Sequence, residues 1–497
     1  MQPITRRHAL ILGGLGTAGI LAGGTGLFWE ANTRFVPTTA EHLMEPKALR
    51  SVNGALQLKL KAAEGPVQVA GHHTTALTYN GGLPGPTWVV RPGDRVKVSV
   101  ENQLKEPTNL HVHGLHVSPN GNSDNVLVSI DPGAIFDYDY QLPENHPPGV
   151  FWYHPHHHGN VATQVFGGLY GAIIVEDPEP IPVSRERVLV ISDISFDASG
   201  AIPAPSAMDR MIGREGNVML VNGQTLPQLN ALPGERERWR IINACASRYL
   251  RLRLDGQQLQ LLGIDSGRFA QPRDVTEVVL TPGNRADLLV TTLSGTATFQ
   301  TLPVDRGTVM GMMGGTRGSA TSTTLATLVV SGAPVASFAA LPPQLSPRDL
   351  RRSAVDGRRE LIFAMGMGAG GMGAGGMGMG GMGMGGGNTM MAFTIDGKEF
   401  DHARVDTIVQ GGSIEEWTLT NTSPMDHPVH LHVWPMQIVE QDGATVQEIL
   451  WQDVVNVPAN ASVRVRIPFD DFTGKTVYHC HILDHEDLGM MGIINAT

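Results

Sequence analysis

The sequence predicts an all-β protein of three Greek-key β-sandwich domains, on three observations. A turn followed by a strand of period two and ending at asparagine occurs three times: from Leu83 to Asn102, from Leu226 to Asn243, and from Gly397 through Gly412 to Asn421. Alternating apolar and polar residues mark a half-buried strand, because successive side chains point to opposite faces of a sheet. The chain has 497 residues, too many for one core and suited to about three domains at roughly 150 residues each. Short runs rich in Val, Ile, Leu and Thr are punctuated by 60 Gly and 33 Pro, which favours antiparallel strands and turns over helices.

Residues 1–30 read as an address. Thr5-Arg6-Arg7 precedes a 20-residue uncharged run from Ala9 to Phe28, which matches a twin-arginine export signal and implies the twin-arginine export machinery as a partner. The expected location is the periplasm or the cell exterior. Seven glycines make the run a poor membrane span, but no Ala-x-Ala cleavage site is clear, so an uncleaved membrane anchor stays open.

The first domain, 45–178, carries His111-Val-His113-Gly and His154-Pro-His156. The second, 179–335, carries no histidine: of 19 in the chain, none falls between 159 and 401. It holds Asp265-Ser-Gly and the stretch Leu280-Thr-Pro-Gly-Asn-Arg-Ala-Asp-Leu-Leu-Val290, and is expected to be a spacer that keeps its neighbours in register. Cys245, in an apolar strand there, is expected to be a buried, inert thiol. The third domain, 355–497, carries His427-Pro-Val-His430-Leu-His432 and the string His479-Cys480-His481-Ile-Leu-Asp-His485-Glu486-Asp-Leu-Gly-Met490-Met491. A second repeat links only the outer domains: Trp152-Tyr-His-Pro-His156 mirrors Tyr478-His-Cys-His481, with Pro155 in the place of Cys480.

Cys480, His485 and Met490 lie five residues apart in succession, and with one further histidine they make the His₂Cys set with a weak axial thioether that describes a blue-copper centre. On a strand, His479 and His481 would project to the face opposite Cys480 and serve a second site. The other three clusters raise the number of available imidazoles to ten, and neutral imidazole suits copper. Because the histidines sit only in the outer thirds of the chain, the second site must form where those thirds meet.

These motifs, in this order, resemble the multicopper oxidases: laccases, bilirubin oxidases and bacterial copper efflux oxidases. The resemblance covers essentially the whole mature chain. It implies cupredoxin-like domains, four copper ions, and one-electron oxidation of a reducing substrate coupled to four-electron reduction of O₂ to water. It assigns His427, Cys480, His485 and Met490 to a type 1 copper, and His111 and His430 to a type 2 copper. His113, His154, His156, His432, His479 and His481 fall to a type 3 pair. No ligand is missing, unlike in those relatives that act as non-enzymatic scaffolds at the division site. It also casts Glu486 as proton donor to the trinuclear site, where oxygen reduction consumes protons, and Asp124 as the acid near type 2 copper. Met491 competes with Met490 for the axial place, and the family spacing favours Met490.

Residues 365–391 hold nine Met and fourteen Gly, a composition that specifies no packed core and is expected to form a loop or lid. Thioether selects Cu(I), and the segment resembles the Met-rich insertion of copper efflux oxidases. Met365, Met367, Met372, Met377, Met379, Met382 and Met384, with Met425 and Asp426, are therefore candidates for a substrate-copper site. Ser423 stands where those enzymes usually have an acid, and Met310, Met312 and Met313 form a smaller cluster. The donor is expected to be Cu(I), in copper tolerance. The alternatives are a small aromatic reductant, as for a laccase acting on phenols and aromatic amines, and copper sequestration with vestigial catalysis. A net charge of −11 offers no basic patch for nucleic acid, and a monomer is expected.

Overall fold

Each of the three repeated asparagines does the same job in the computed structural model, which describes residues 42–69, 72–307, 321–344, 346–367 and 391–497. Asn102, Asn243 and Asn421 end the strands Arg95–Asn102, Arg236–Asn243 and Ile414–Asn421. In each case the side-chain oxygen accepts the amide hydrogen of the residue two further on. The side-chain amide then donates to two or three main-chain carbonyls. All three are buried, where an amide must find partners for both ends, so the repeat in the sequence is a repeated turn lock.

Among the described residues six sheets pair into three sandwiches. In the first, a five-stranded sheet runs Ala48–Arg50, Thr87–Val90, Gly171–Val175, Gly149–His154, His111–His113 and shares one apolar core with a four-stranded sheet. The second joins a six-stranded and a five-stranded sheet between Arg185 and Val330. The third has a six-stranded sheet and a five-stranded one ordered Thr407–Val409, Met491–Ala496, Gly474–Cys480, His427–Leu431, Val454–Val457. The histidine strands of the outer sandwiches therefore occupy matching places: His111 lies opposite His154, and His430 opposite His479.

The described helices are short: α1 (Val161–Phe166), α2 (Ala207–Ile212) and α3 (Leu483–Asp487). Asp487 at the end of α3 accepts from the amides of Gly159, Val161 and Ala162 at 2.7–3.1 Å. The third sandwich thus supplies the N-terminal cap of a helix in the first, satisfying amides that a helix leaves unpaired. Among the described residues no helix is long and apolar enough to cross a membrane. The expected export signal at 1–30 lies outside the described residues.

One expectation is corrected at the Met/Gly-rich segment. Its described ends are strand, not loop: Met365 and Met367 belong to Gly357–Met367, which pairs with Met391–Ile395, placing Met365 opposite Phe393. Ladder hydrogen bonds are made by the backbone whatever the side chain, so pairing begun at Phe363 and Ile395 carries on into the glycine-rich composition. Met372, Met377, Met379, Met382 and Met384, like Met310, Met312 and Met313, lie outside the described residues.

Candidate metal centre

Cys480 and its neighbours face two ways, as period two requires. On one side of the strand Gly474–Cys480 the Cys480 sulfur lies 3.4 Å from His427 Nδ1 and 3.8 Å from His485 Nδ1. Both rings are held by their far nitrogens. Ser423 Oγ lies 2.6 Å from His427 Nε2, and the Met211 carbonyl lies 3.1 Å from His485 Nε2. Each Nδ1 is thereby turned toward the sulfur. Met490 shares the apolar core of Cys480 and is hydrogen-bonded through its main chain to both His485 and Cys480. Met491 packs instead with Val126, Val477 and Ile493, which leaves Met490 as the one of the two that shares a core with Cys480.

On the opposite side eight imidazoles from the first and third sandwiches converge. His111 stacks on His432 at 4.0 Å and His113 on His430 at 3.8 Å between ring centroids. His479 Nε2 lies 3.1 Å from Nε2 of both His156 and His432, and His154 Nε2 lies 3.4 Å from His113 Nδ1. His481 meets His113 edge-on, with centroids 5.0 Å apart. Ligand atoms within 4.8 Å of one another occur in the groups His111/His113/His154, His111/His430/His432, His156/His432/His479 and His427/Cys480/His485. All ten histidines and Cys480 are no more than 2 % exposed.

Buried polar atoms without partners test whether this set suits copper. His111 Nε2, His430 Nε2, His432 Nδ1 and both nitrogens of His481 have no hydrogen-bond partner among the described residues. Buried ring nitrogens normally find one, and orphans aimed into a common space fit metal ligation. Several of the opposite nitrogens are tied down. His111 Nδ1 lies 3.0 Å from both oxygens of Asp124, His430 Nδ1 donates to the Asp453 carbonyl at 2.7 Å, and His154 Nδ1 donates to the Pro155 carbonyl at 2.8 Å. Such partners fix which nitrogen is free for a metal. Burial lowers the pKa of every one of the ten histidines, keeping the rings neutral as a metal requires. Burial also pushes the Cys480 thiol up, so metal binding there releases a proton.

The two predicted acids lie beside the cluster. Asp124 is almost fully buried, accepts the Val112 amide hydrogen, and is pushed up by burial to about 8. Glu486 Oε2 lies 3.1 Å from His479 Nδ1 and Oε1 lies 3.5 Å from His156 Nε2. His479 Nδ1 donates instead to the Cys480 carbonyl, and neither Glu486 oxygen has a hydrogen-bond partner among the described residues. Burial pushes this carboxyl up to about 7, since a lone buried charge is costly.

The substrate-copper candidates fare differently. Met425 is buried in the same apolar core as Cys480. Asp426 is held by the Asn456 side chain and the Ala459 amide, each at 2.9 Å, so its carboxylate already has structural partners. Residues not predicted as site residues take up positions around both sites: Ser423, Met211, Asp453 and Phe393, whose ring stacks on His485 at 4.5 Å and 28°. Of these only Ser423 had a cue, as the departure from the usual acid.

Three models of one family, the multicopper oxidases, match residues 61–180, 195–333 and 382–497. The chain is 26 % identical to the multicopper oxidase mco of Staphylococcus aureus, over 92 % of each chain. Its fold is similar to that of the multicopper oxidase of Campylobacter jejuni, described as a metallo-oxidase, with TM-score 0.78 and 30 % identity over 92 % of this chain and 95 % of that one. It is also similar to a laccase-like multicopper oxidase from Ochrobactrum sp. that acts on lignin model compounds, with TM-score 0.75 and 25 % identity over 92 % of this chain and 100 % of that one.

Proposed function

The chain belongs to the multicopper oxidase family, and from that premise we propose that it oxidises Cu(I), one electron at a time and at the expense of O₂, for copper tolerance outside the cytoplasm. The observation that carries this reading is the contact between Phe393 and His485. Phe393 pairs with Met365 and stacks on His485, so the strand pair Gly357–Met367 and Met391–Ile395, which flanks the Met/Gly-rich stretch in the sequence, packs against the proposed electron-entry histidine. Gly307, which shortly precedes Met310, Met312 and Met313 in the sequence, bridges to Met425. Soft thioethers raise the local concentration of Cu(I) at the place where it must give up an electron. His485 and His427 are themselves fully buried, which hinders direct contact with a bulky donor.

Bound copper would supply one-electron redox chemistry at the Cys480 thiolate and, at the histidine cluster, a place for O₂ to be reduced to water. The chain provides the path and the protons. Cys480 shares a peptide bond with His479 on one side and His481 on the other, so the covalent route between the sites is one residue long. Glu486, unpartnered beside His479 and His156, is the group we assign to hold a proton at Oε2 and release it toward the cluster. Asp124 orients His111. The Thr5-Arg6-Arg7 segment would direct export of the folded, monomeric protein by the twin-arginine route.

One observation favours a second reading, oxidation of a small aromatic donor. A cleft of about 480 Å³, whose lining includes Phe166, Pro203 and Met219 together with the charged Asp209, Arg214 and Arg248, adjoins the segment whose Met211 carbonyl meets His485. Side-by-side turnover of Cu(I) and a phenol separates the readings, in wild-type protein and in a variant lacking 368–390. We expect the deletion to lower Cu(I) oxidation at limiting copper and to raise phenol oxidation. If neither changes, the aromatic reading replaces ours; if copper binding falls and no oxidase activity was present to begin with, the protein sequesters copper.

A further inference from the structure

The middle sandwich contributes no histidine, yet one of its side chains reaches the cluster. Arg285, in the stretch between Leu280 and Val290, is fully buried and touches all three sandwiches. Its Nε donates to the Val150 carbonyl of the first at 3.0 Å. Its two terminal nitrogens grip Asp453 of the third, at 2.6 Å to Oδ1 and 2.7 Å to Oδ2. Within its own sandwich its main-chain amide donates to Asp265 Oδ1 at 3.0 Å. Asp265 Oδ2 in turn accepts the main-chain amides of Asp453 and Val454 at 3.2 and 3.1 Å. The guanidinium fork matches a carboxylate in two places, so it sets the plane of the Asp453 carboxyl as well as its charge.

That carboxyl is the partner of a cluster histidine. Asp453 Oδ1 lies 3.0 Å from His113 Nε2, while His113 Nδ1 faces His154. The Asp453 main-chain carbonyl accepts the proton of His430 Nδ1. Two glycines make the approach possible. Gly114, at φ +83, leaves the space that Arg285 fills, and a Cβ on Gly283, at φ +87, would stand 2.9 Å from the His481 ring.

We propose that Arg285 is a positioning residue for the histidine cluster: through Asp453 it holds His113 in the tautomer protonated at Nε2, which leaves Nδ1 for metal. A carboxylate clamped by Arg285 can only accept from His113, so the proton stays on Nε2 and the ring keeps one orientation. The middle sandwich is then part of the metal site, and the spacer role expected of it is incomplete. The inference needs family membership only and does not depend on Cu(I) being the donor.

The test is the tautomer of His113 in copper-free protein, read from long-range ¹H–¹⁵N correlations after selective ¹⁵N-histidine labelling and assigned with His113→Gln. Wild-type protein is expected to show the Nε2–H form, and Arg285→Met a mixture or the Nδ1–H form. In the copper-loaded variant the blue absorption at Cys480 should persist while the histidine cluster holds copper about 10–100-fold more weakly. An unchanged tautomer overturns the proposal. So does parallel loss of blue absorption and cluster copper with a lower unfolding temperature, the pattern of a mere tie between sandwiches. Should Arg285→Met not fold, Arg285→Lys carries the test, because it keeps a buried cation but cannot grip the Asp453 carboxyl in two places. The same tautomer shift is expected there, and its absence overturns the proposal equally.

Discussion

His479 and Cys480 are consecutive residues on one strand, and their side chains enter different sites. The Cys480 sulfur lies 3.4 Å from His427 Nδ1, whereas His479 Nε2 lies 3.1 Å from His156 and from His432. The pleat alone produces this split, since neighbours on a strand point to opposite faces. The first sandwich repeats the same strand pair with Pro155 in place of Cys480. It can therefore lend His154 and His156 to the cluster but cannot form a thiolate site of its own.

His111→Ala is expected to stop oxygen reduction and spare the blue colour. The ring sits with the cluster and does not touch Cys480, His427 or His485. The loss should exceed about 100-fold, because even the hydrogen-bonding partners of metal ligands are worth about 10–100-fold. Steady-state O₂ consumption together with the visible spectrum checks this, and retained water-forming activity would remove His111 from the ligand set.

Met490→Leu should leave the protein blue and raise the reduction potential of the thiolate site. Removing a weak donor on the axis of a His₂Cys site favours the reduced metal. Met490 packs in the core of Cys480, and Met491 packs in a separate apolar cluster. A redox titration that finds no change here, and a shift in Met491→Leu instead, would exchange their roles.

Stability should depend on pH through the contact between His116 and Asp471, which joins the first and third sandwiches at 2.8 Å. Burial disfavours the charged imidazole, but hydrogen bonds to Asp471 and to the Val433 carbonyl outweigh it, so His116 is raised above its ordinary 6.5. The same hydrogen bond from His116 lowers Asp471 below its ordinary 3.8. The histidine's share is complete below its ordinary value and fades as pH rises through the raised one. The carboxylate's share is complete above its ordinary value and fades as pH falls through the lowered one. The pair therefore helps most between about pH 4 and pH 6.5. Asp471 is well exposed, which keeps the effect near 0.5 kcal/mol. Unfolding of copper-free wild type and His116→Gln should differ more at pH 5.5 than at pH 8.5; a difference that grows with pH contradicts the assignment.

How much of this was legible in the sequence depends on whether a residue's role is local. That the ten histidines and Cys480 gather in two clusters could be read because the spacing within each motif is set by one strand or one turn. The three asparagines announced the sandwiches for the same reason. Asp453 and Arg285 lie 168 positions apart and acquire meaning only when the sandwiches meet, so the stretch Leu280–Val290 could be singled out while the role of Arg285 within it could not. Met211 acts through a main-chain carbonyl, which any residue would supply. Ser423 holds His427 by a hydroxyl at 2.6 Å, a role invisible beside the acid expected there. Met365 and Met367 were misplaced because glycine-rich composition hides backbone pairing that the flanking strands impose.

The most direct test of two sites sharing one strand is the copper content and visible spectrum of Cys480→Ser protein. The thiolate is the source of the blue colour and serine cannot replace it, while the eight imidazoles on the other face are untouched. The variant should be colourless, inactive as an oxidase, and short of one copper ion of the four, with those at the histidine cluster retained. A blue Cys480→Ser protein with its full copper content would contradict the account.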